Sequence, residues 1–134
     1  LIVPRNENPT EKTHALGAVV KVQQVIDFIV LSHLLEKGRL YHSQMEQFIV
    51  DTLQGVGAND AYFSQRLKVL AETGHVNRHW DGDNRYNRFY DITDKGEVYL
   101  KQLLGELPDR VKLAQRVYTL FDKYISKFGK MNLK

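Results

Sequence analysis

Apolar residues recur along this chain at intervals of three and four over most of its length and at intervals of two over one short stretch. That pattern predicts several helices and a hairpin. From about Ala18 to Lys37, Val22, Val25, Ile26, Ile29, Val30 and Leu34 repeat on one side, and Phe28, Leu31 and Leu35 widen it. A helix this apolar is expected to be central and mostly buried, and Gly38 ends it. Leu40-Tyr41-His42 reads as a short link. Ser43 offers an N-cap for a second helix reaching about Leu53, where Met45, Phe48, Ile49, Thr52 and Leu53 form one buried stripe. The run from Gln54 to Ala58 breaks the pattern with Gly55 and Gly57.

Asn59 or Asp60 caps a third helix to about Thr73, and Gly74 ends it. Phe63, Leu67, Leu70 and Ala71 share its inner face, leaving Tyr62, Ser64, Gln65, Arg66 and Lys68 to point away. Two strand-like runs, Val76 to Asp81 and Tyr86 to Ile92, flank Gly82-Asp83-Asn84-Arg85, which is turn chemistry. Alternation puts Val76, Arg78 and Trp80 on one face. Asp94 with Glu97 starts a fourth helix in the manner of a capping box, and Val98, Tyr99, Leu100, Leu103 and Leu104 give it an apolar side. Gly105-Glu106-Leu107-Pro108 is expected to interrupt it. A fifth helix from Asp109 to about Phe128 carries two apolar rows, Val111, Ala114, Tyr118, Phe121, Ile125 and Phe128 beside Leu113, Val117, Leu120 and Tyr124.

These elements predict a mainly α fold with a small β-hairpin, an α+β winged helix-turn-helix followed by a C-terminal dimerisation helix. Residues 1–17, with Pro4 and Pro9, read as an N-terminal arm, 18–105 as the winged-helix domain, and 106–134 as the dimerisation helix with a basic tail. The last helix of such a unit fits a major groove about 12 Å wide, with its outward residues at base edges. Tyr62, Ser64, Gln65, Arg66 and Lys68 are therefore the base-side candidates. Arg78, His79, Arg85 and Arg88 on the hairpin are the candidates for the phosphate backbone. A broad apolar face on a terminal helix suits self-association, so Val111, Ala114, Val117, Tyr118, Phe121, Tyr124, Ile125 and Phe128 are the expected dimer interface.

Composition changes this picture in one respect. The net charge is +3, but residues 1–53 carry five Lys/Arg against six Asp/Glu and residues 54–107 carry seven against eight. Residues 108–134 carry seven against two, so the positive excess lies in the C-terminal segment and outside the suspected reading head. With no cysteine there is neither a disulfide framework nor a thiolate metal site, which fits a reducing compartment; a cytoplasmic location is expected, nucleoid-associated if the chain binds DNA. The most apolar run, Val25 to Leu35, is interrupted by Asp27, Ser32 and His33 and falls short of the roughly 20 residues that span a bilayer. No membrane partner and no signal peptide are expected. The chain starts at Leu1 and not at methionine, so a longer natural N-terminus is expected.

Other chemistry is weaker. Gly55-Val56-Gly57 lacks both the dinucleotide fingerprint and the lysine of a phosphate loop. His75 and His79 are four apart without a third ligand nearby, so neither a metal nor a cofactor is expected. His33, among apolar residues, reads as a satisfied core or rim histidine. No paired carboxylates or catalytic triad stand at a usable spacing, so an enzyme is not expected. The rival to DNA binding is a winged-helix module that binds another protein without specific DNA binding.

The run Leu67-Lys68-Val69-Leu70-Ala71-Glu72-Thr73-Gly74-His75-Val76, then Trp80, then Tyr90-Asp91-Ile92-Thr93-Asp94-Lys95-Gly96, resembles the PadR-like winged-helix transcriptional regulators. It is similar to their leucine-rich recognition helix, their wing and their closing Tyr-x-Ile/Leu-Thr-x-x-Gly motif, and the similarity covers roughly residues 22 to 128. Where that family often has glycine and tyrosine near the start of the recognition helix, this chain has Ala61 and Ser64. Where it has a Gly-Tyr pair after the first helix, this chain has His42-Ser43. The resemblance implies a homodimer on double-stranded DNA, acting as a repressor. Through a clock-associated member of the family it also implies a circadian gene as one expected target.

Overall fold

The computed structural model describes residues 20–56, 60–80, 82 and 87–131. The described chain falls into two compact units, one spanning Lys21–Gly105 and one that takes up the chain from Glu106. The first unit holds α1 (Val22–Lys37), β1 (Leu40–Tyr41), α2 (His42–Leu53), α3 (Asp60–Glu72), β2 (Val76–Trp80), β3 (Arg88–Ile92) and the beginning of α4 (Asp94–Ser126). The N-terminal arm and the Asn59 cap lie outside the described residues.

The apolar stripes meet where their spacing predicts. Ile26, Val30, Leu31 and Leu34 of α1, Met45 and Ile49 of α2, and Phe63, Leu67 and Leu70 of α3 form one core with Val76, Tyr90 and Leu100. Fully burying each such side chain is worth about 1.5–3 kcal/mol relative to leaving it in water. The stripe on α2 is narrower than expected, because Thr52 is exposed and Phe48 and Leu53 are half-buried. Gly38, at φ 86°, closes α1 by donating its N–H to the Leu34 carbonyl at 2.7 Å. Only a residue without a Cβ takes that conformation at little cost.

Two residues expected to be a link form a strand. Leu40 and Tyr41 pair antiparallel with Tyr90 and Phe89, which gives a three-stranded sheet in the order β1-β3-β2. Val76 faces Ile92, Arg78 faces Tyr90 and Trp80 faces Arg88 in the β2–β3 register. Helix α2 then starts at once. Its N-cap is Tyr41 and not Ser43, and the orphan Tyr41 N–H donates to Gln44 Oε1 at 2.9 Å.

The closing motif has a steric basis. Thr93 Oγ1 donates to the Gly74 carbonyl at 2.7 Å and accepts the Gly96 N–H at 3.0 Å, so Thr93, not Asp94, caps α4. A Cβ on Gly96 would run into the His75 carbonyl and lie 2.7 Å from Ile92 Cγ1. The motif thus packs the first turn of α4 directly against the backbone where α3 passes into β2.

The expected break at Gly105–Pro108 is absent. Helix α4 is continuous over 33 residues with Pro108 inside it. The proline removes one hydrogen bond, the one its N–H would have made to the Leu104 carbonyl. Leu104 is exposed, which leaves that carbonyl within reach of water. In the second unit, Val111, Tyr118, Leu120, Phe121, Tyr124, Ile125 and Phe128 are exposed, while Leu113, Ala114 and Val117 are half-buried.

Candidate nucleic-acid interface

Of the residues expected to point outward from α3, Ser64, Gln65 and Lys68 do so, and they are exposed. Tyr62 and Arg66 differ from the expectation. Tyr62 is half-buried and packs against the core. Arg66 turns inward, its Nε and Nη2 donating to the two carboxylate oxygens of Asp27 at 2.9 and 2.7 Å. These bonds to Asp27 push the guanidinium above its ordinary protonation range. Asp27, on α1, is fully buried and also accepts the Tyr99 hydroxyl at 2.8 Å. The apolar spacing of α3 is silent about such a pairing, since the partner is 39 residues away.

The start of α3 lies beside the start of α2. His42 Nε2 is 3.2 Å from Ser64 Oγ, its ring lies 5.0 Å from that of Phe63, and Nδ1 is 3.7 Å from a Glu46 carboxylate oxygen. Burial, helped by Arg88, lowers the His42 pKa, with Asp60 acting the other way. Burial and a hydrogen bond to Asp60 raise that of Glu46. The first turn of α3 therefore sits beside a Glu46 carboxyl that favours holding a proton.

The hairpin candidates divide between the two faces of the sheet. Arg78 and Arg88 lie on the face that also carries Val76, Trp80 and Tyr90, as the register requires. Trp80 is 47% exposed, and the Arg78 guanidinium sits 5.2 Å from its ring centre, within cation–π range. His79 is on the other face, stacked on Phe89 at 4.8 Å with Nε2 3.0 Å from Asp91 Oδ2. Asn77 donates to the same carboxylate at 2.9 Å. Arg39 lies 4.8 Å from the Phe89 ring centre, and the Tyr41 ring meets Phe89 edge-on. Arg39 joins the hairpin only because β1 pairs there, and a two-residue strand leaves no periodic trace in sequence. Arg85 lies outside the described residues.

His33 is buried and stacked on Phe48 at 3.5 Å, but its Nδ1 has no hydrogen-bond partner among the described residues, so it is not the satisfied histidine expected. His75 precedes β2, where its Nδ1 is 2.7 Å from Thr73 Oγ1. Among the described residues no group of three or more His, Asp or Glu is placed to hold a metal ion, and no helix is long and apolar enough to cross a membrane.

No protein-family model matches the chain, and no curated protein matches it in sequence. Solved structures do match. A transcriptional regulator from Clostridium thermocellum aligns over 81% of this chain and 97% of its own, at 22% identity and a TM-score of 0.54. A candidate transcriptional regulator from Thermoplasma acidophilum aligns over 79% and 93%, at 19% identity and a TM-score of 0.54. A conserved protein of unknown function described as a potential transcription factor aligns over 83% and 97%, at 20% identity and a TM-score of 0.55. With the element order and sheet described above, these likenesses establish the winged-helix α+β fold.

Proposed function

We propose that this chain is a homodimeric, sequence-specific DNA-binding transcriptional regulator acting as a repressor. The observation that carries the reading is the exposed row Ser64, Gln65 and Lys68 on the last helix of a helix-turn-helix whose wing presents Arg78 and Arg88 around an exposed Trp80. Glutamine can bond adenine through two hydrogen bonds, lysine can bond guanine, and wing arginines neutralise phosphates. The regulatory roles ascribed to the similar structures support it.

A second copy of the chain is the occupant proposed for the apolar rows of α4. Tyr118, Phe121, Tyr124, Ile125 and Phe128 are each 44% exposed or more, a density of apolar surface unusual for a helix facing water. Two reading helices held this way would enter successive major grooves about 34–36 Å apart.

Selection of bound sequences from random duplex DNA tests the proposal. A two-fold symmetric site bound as a dimer is the expected result, and recovery upstream of a clock gene would extend it to the circadian target. The competing reading, a protein-interaction module, is favoured by one observation: the exposed part of α3 carries Asp60 and Glu72 beside Lys68 and is close to neutral. Under that reading a mobility-shift assay would find no preference between selected and random duplex.

A further inference from the structure

Resting on the DNA-binding reading above, we infer that Arg66 is a positioning residue, not a base contact: with Asp27 and Tyr99 it fixes the rotation of α3 and hence the aim of Ser64, Gln65 and Lys68. Asp27 is 0% exposed and sits on α1. A carboxylate removed from water needs its lone pairs filled, and here three donors fill them: two from Arg66 on α3 and the hydroxyl of Tyr99 on α4. The guanidinium is planar and binds both oxygens, so it constrains orientation as well as distance. Ser64, Gln65 and Lys68 all lie within one turn of Arg66, and any rotation of α3 that loosened the pair would swing them together.

The far end of α3 is held by the same neighbour. Lys95 Nζ donates to the Thr73 carbonyl at 2.7 Å, and Thr93 Oγ1 donates to that of Gly74. Middle and end of the helix are thus tied to the first turns of α4, one through Asp27 and the other directly. For Arg66 to reach a base it would have to leave the Asp27 side chain short of two donors in a site closed to water, where its own side chain is only 14% exposed.

The test compares wild type with Arg66→Met, Asp27→Asn, the double variant and the milder Tyr99→Phe, all well below their melting temperatures. Binding to selected and random duplex is measured across salt concentrations, together with hydrogen exchange of the α3 amides. Positioning predicts that Arg66→Met and Tyr99→Phe lower the ratio of selected to random affinity while leaving the salt slope as in wild type. It also predicts that protection falls in α3 more than in α1 or α2, and that the double variant, with no unpaired buried carboxylate, recovers part of both losses. Direct reading predicts a different set: Arg66→Met relaxes preference at one base pair by about 5- to 150-fold, while Asp27→Asn binds as wild type. That result overturns the inference. Unchanged α3 protection in every variant overturns it as well, with or without DNA. A wild-type protein with no preference for any duplex instead removes the DNA-binding reading, and the exchange data then still decide whether the triad orients α3.

Discussion

His33, His42 and His75 all have their pKa lowered from the ordinary 6.5, in each case chiefly by burial, with Lys37, Arg88 and Lys95 respectively adding to it. Below pH 6.5 the unfolded chain therefore takes up protons that the folded chain resists, so stability falls as pH drops through 6.5 towards the lowered values. Glu46 works in the opposite sense: its pKa is raised from 4.5, so its contribution is present in acid and lost as pH rises through the raised value. Three groups outweigh one near pH 6, and the melting temperature should decline between about pH 7 and 5. His33→Phe keeps a ring against Phe48 and removes the orphan nitrogen, whose burial costs about 1–3 kcal/mol. Thermal melts across this range should show it more stable than wild type and with a shallower acid decline. Residue identity was poorly legible in advance at such sites. His33 and Arg66 both have helical offsets that fit their assigned faces, and only the packed neighbours reveal that the Nδ1 of one has no partner among the described residues and that the other has a buried one.

At the scale of elements, the junction of α3, β2 and α4 depends on Gly96 having no side chain. Gly96→Ala should force the backbone apart and destabilise the protein by about 1–3 kcal/mol in urea unfolding, as overpacking does. The wing gives a sharper contrast. Arg78 and Arg88 share a face with Trp80, whereas His79 faces away and is bonded to Asp91. Replacing both arginines with alanine should weaken binding to every duplex and flatten its salt dependence by about two, one for each phosphate no longer neutralised. His79→Ala should leave that slope unchanged. Long periodic elements were legible in sequence, and so were the core stripes on α1, α2 and α3. The two-residue β1 was not, because a pattern of period two needs more residues than that to register. Pro108 misled for another reason: local helix propensity counts its cost, while the turns on either side outvote one missing bond.

For the whole molecule, the proposal that the exposed aromatic rows of α4 pair two copies of the chain has a direct test. Tyr118→Lys with Phe121→Lys places charge within the rows and should shift the protein to monomers in sedimentation equilibrium, with the first unit still folded by circular dichroism. If pairing aligns two reading helices, the same variant should lose affinity for a two-fold symmetric site and keep its weak affinity for random duplex. A dimer that persists in the variant would place the interface elsewhere. Lys112, Arg116, Lys123, Lys127 and Lys130 on and just after this helix are exposed, and on a dimer they would add long-range attraction for DNA without sequence preference.

Sequence alone determined where α1, α2 and α3 lie and most of the residues they give to the core, because hydrophobic periodicity is set by local geometry and read at short range. It also carried the closing motif from Tyr90 to Gly96. Tertiary structure decided what that motif does, that Leu40 and Tyr41 complete the sheet, and that Arg66 turns from the expected reading face to Asp27. Each of these depends on groups far apart in the chain meeting in a dry or crowded place. There, a missing Cβ or an unpaired charge matters more than any local preference.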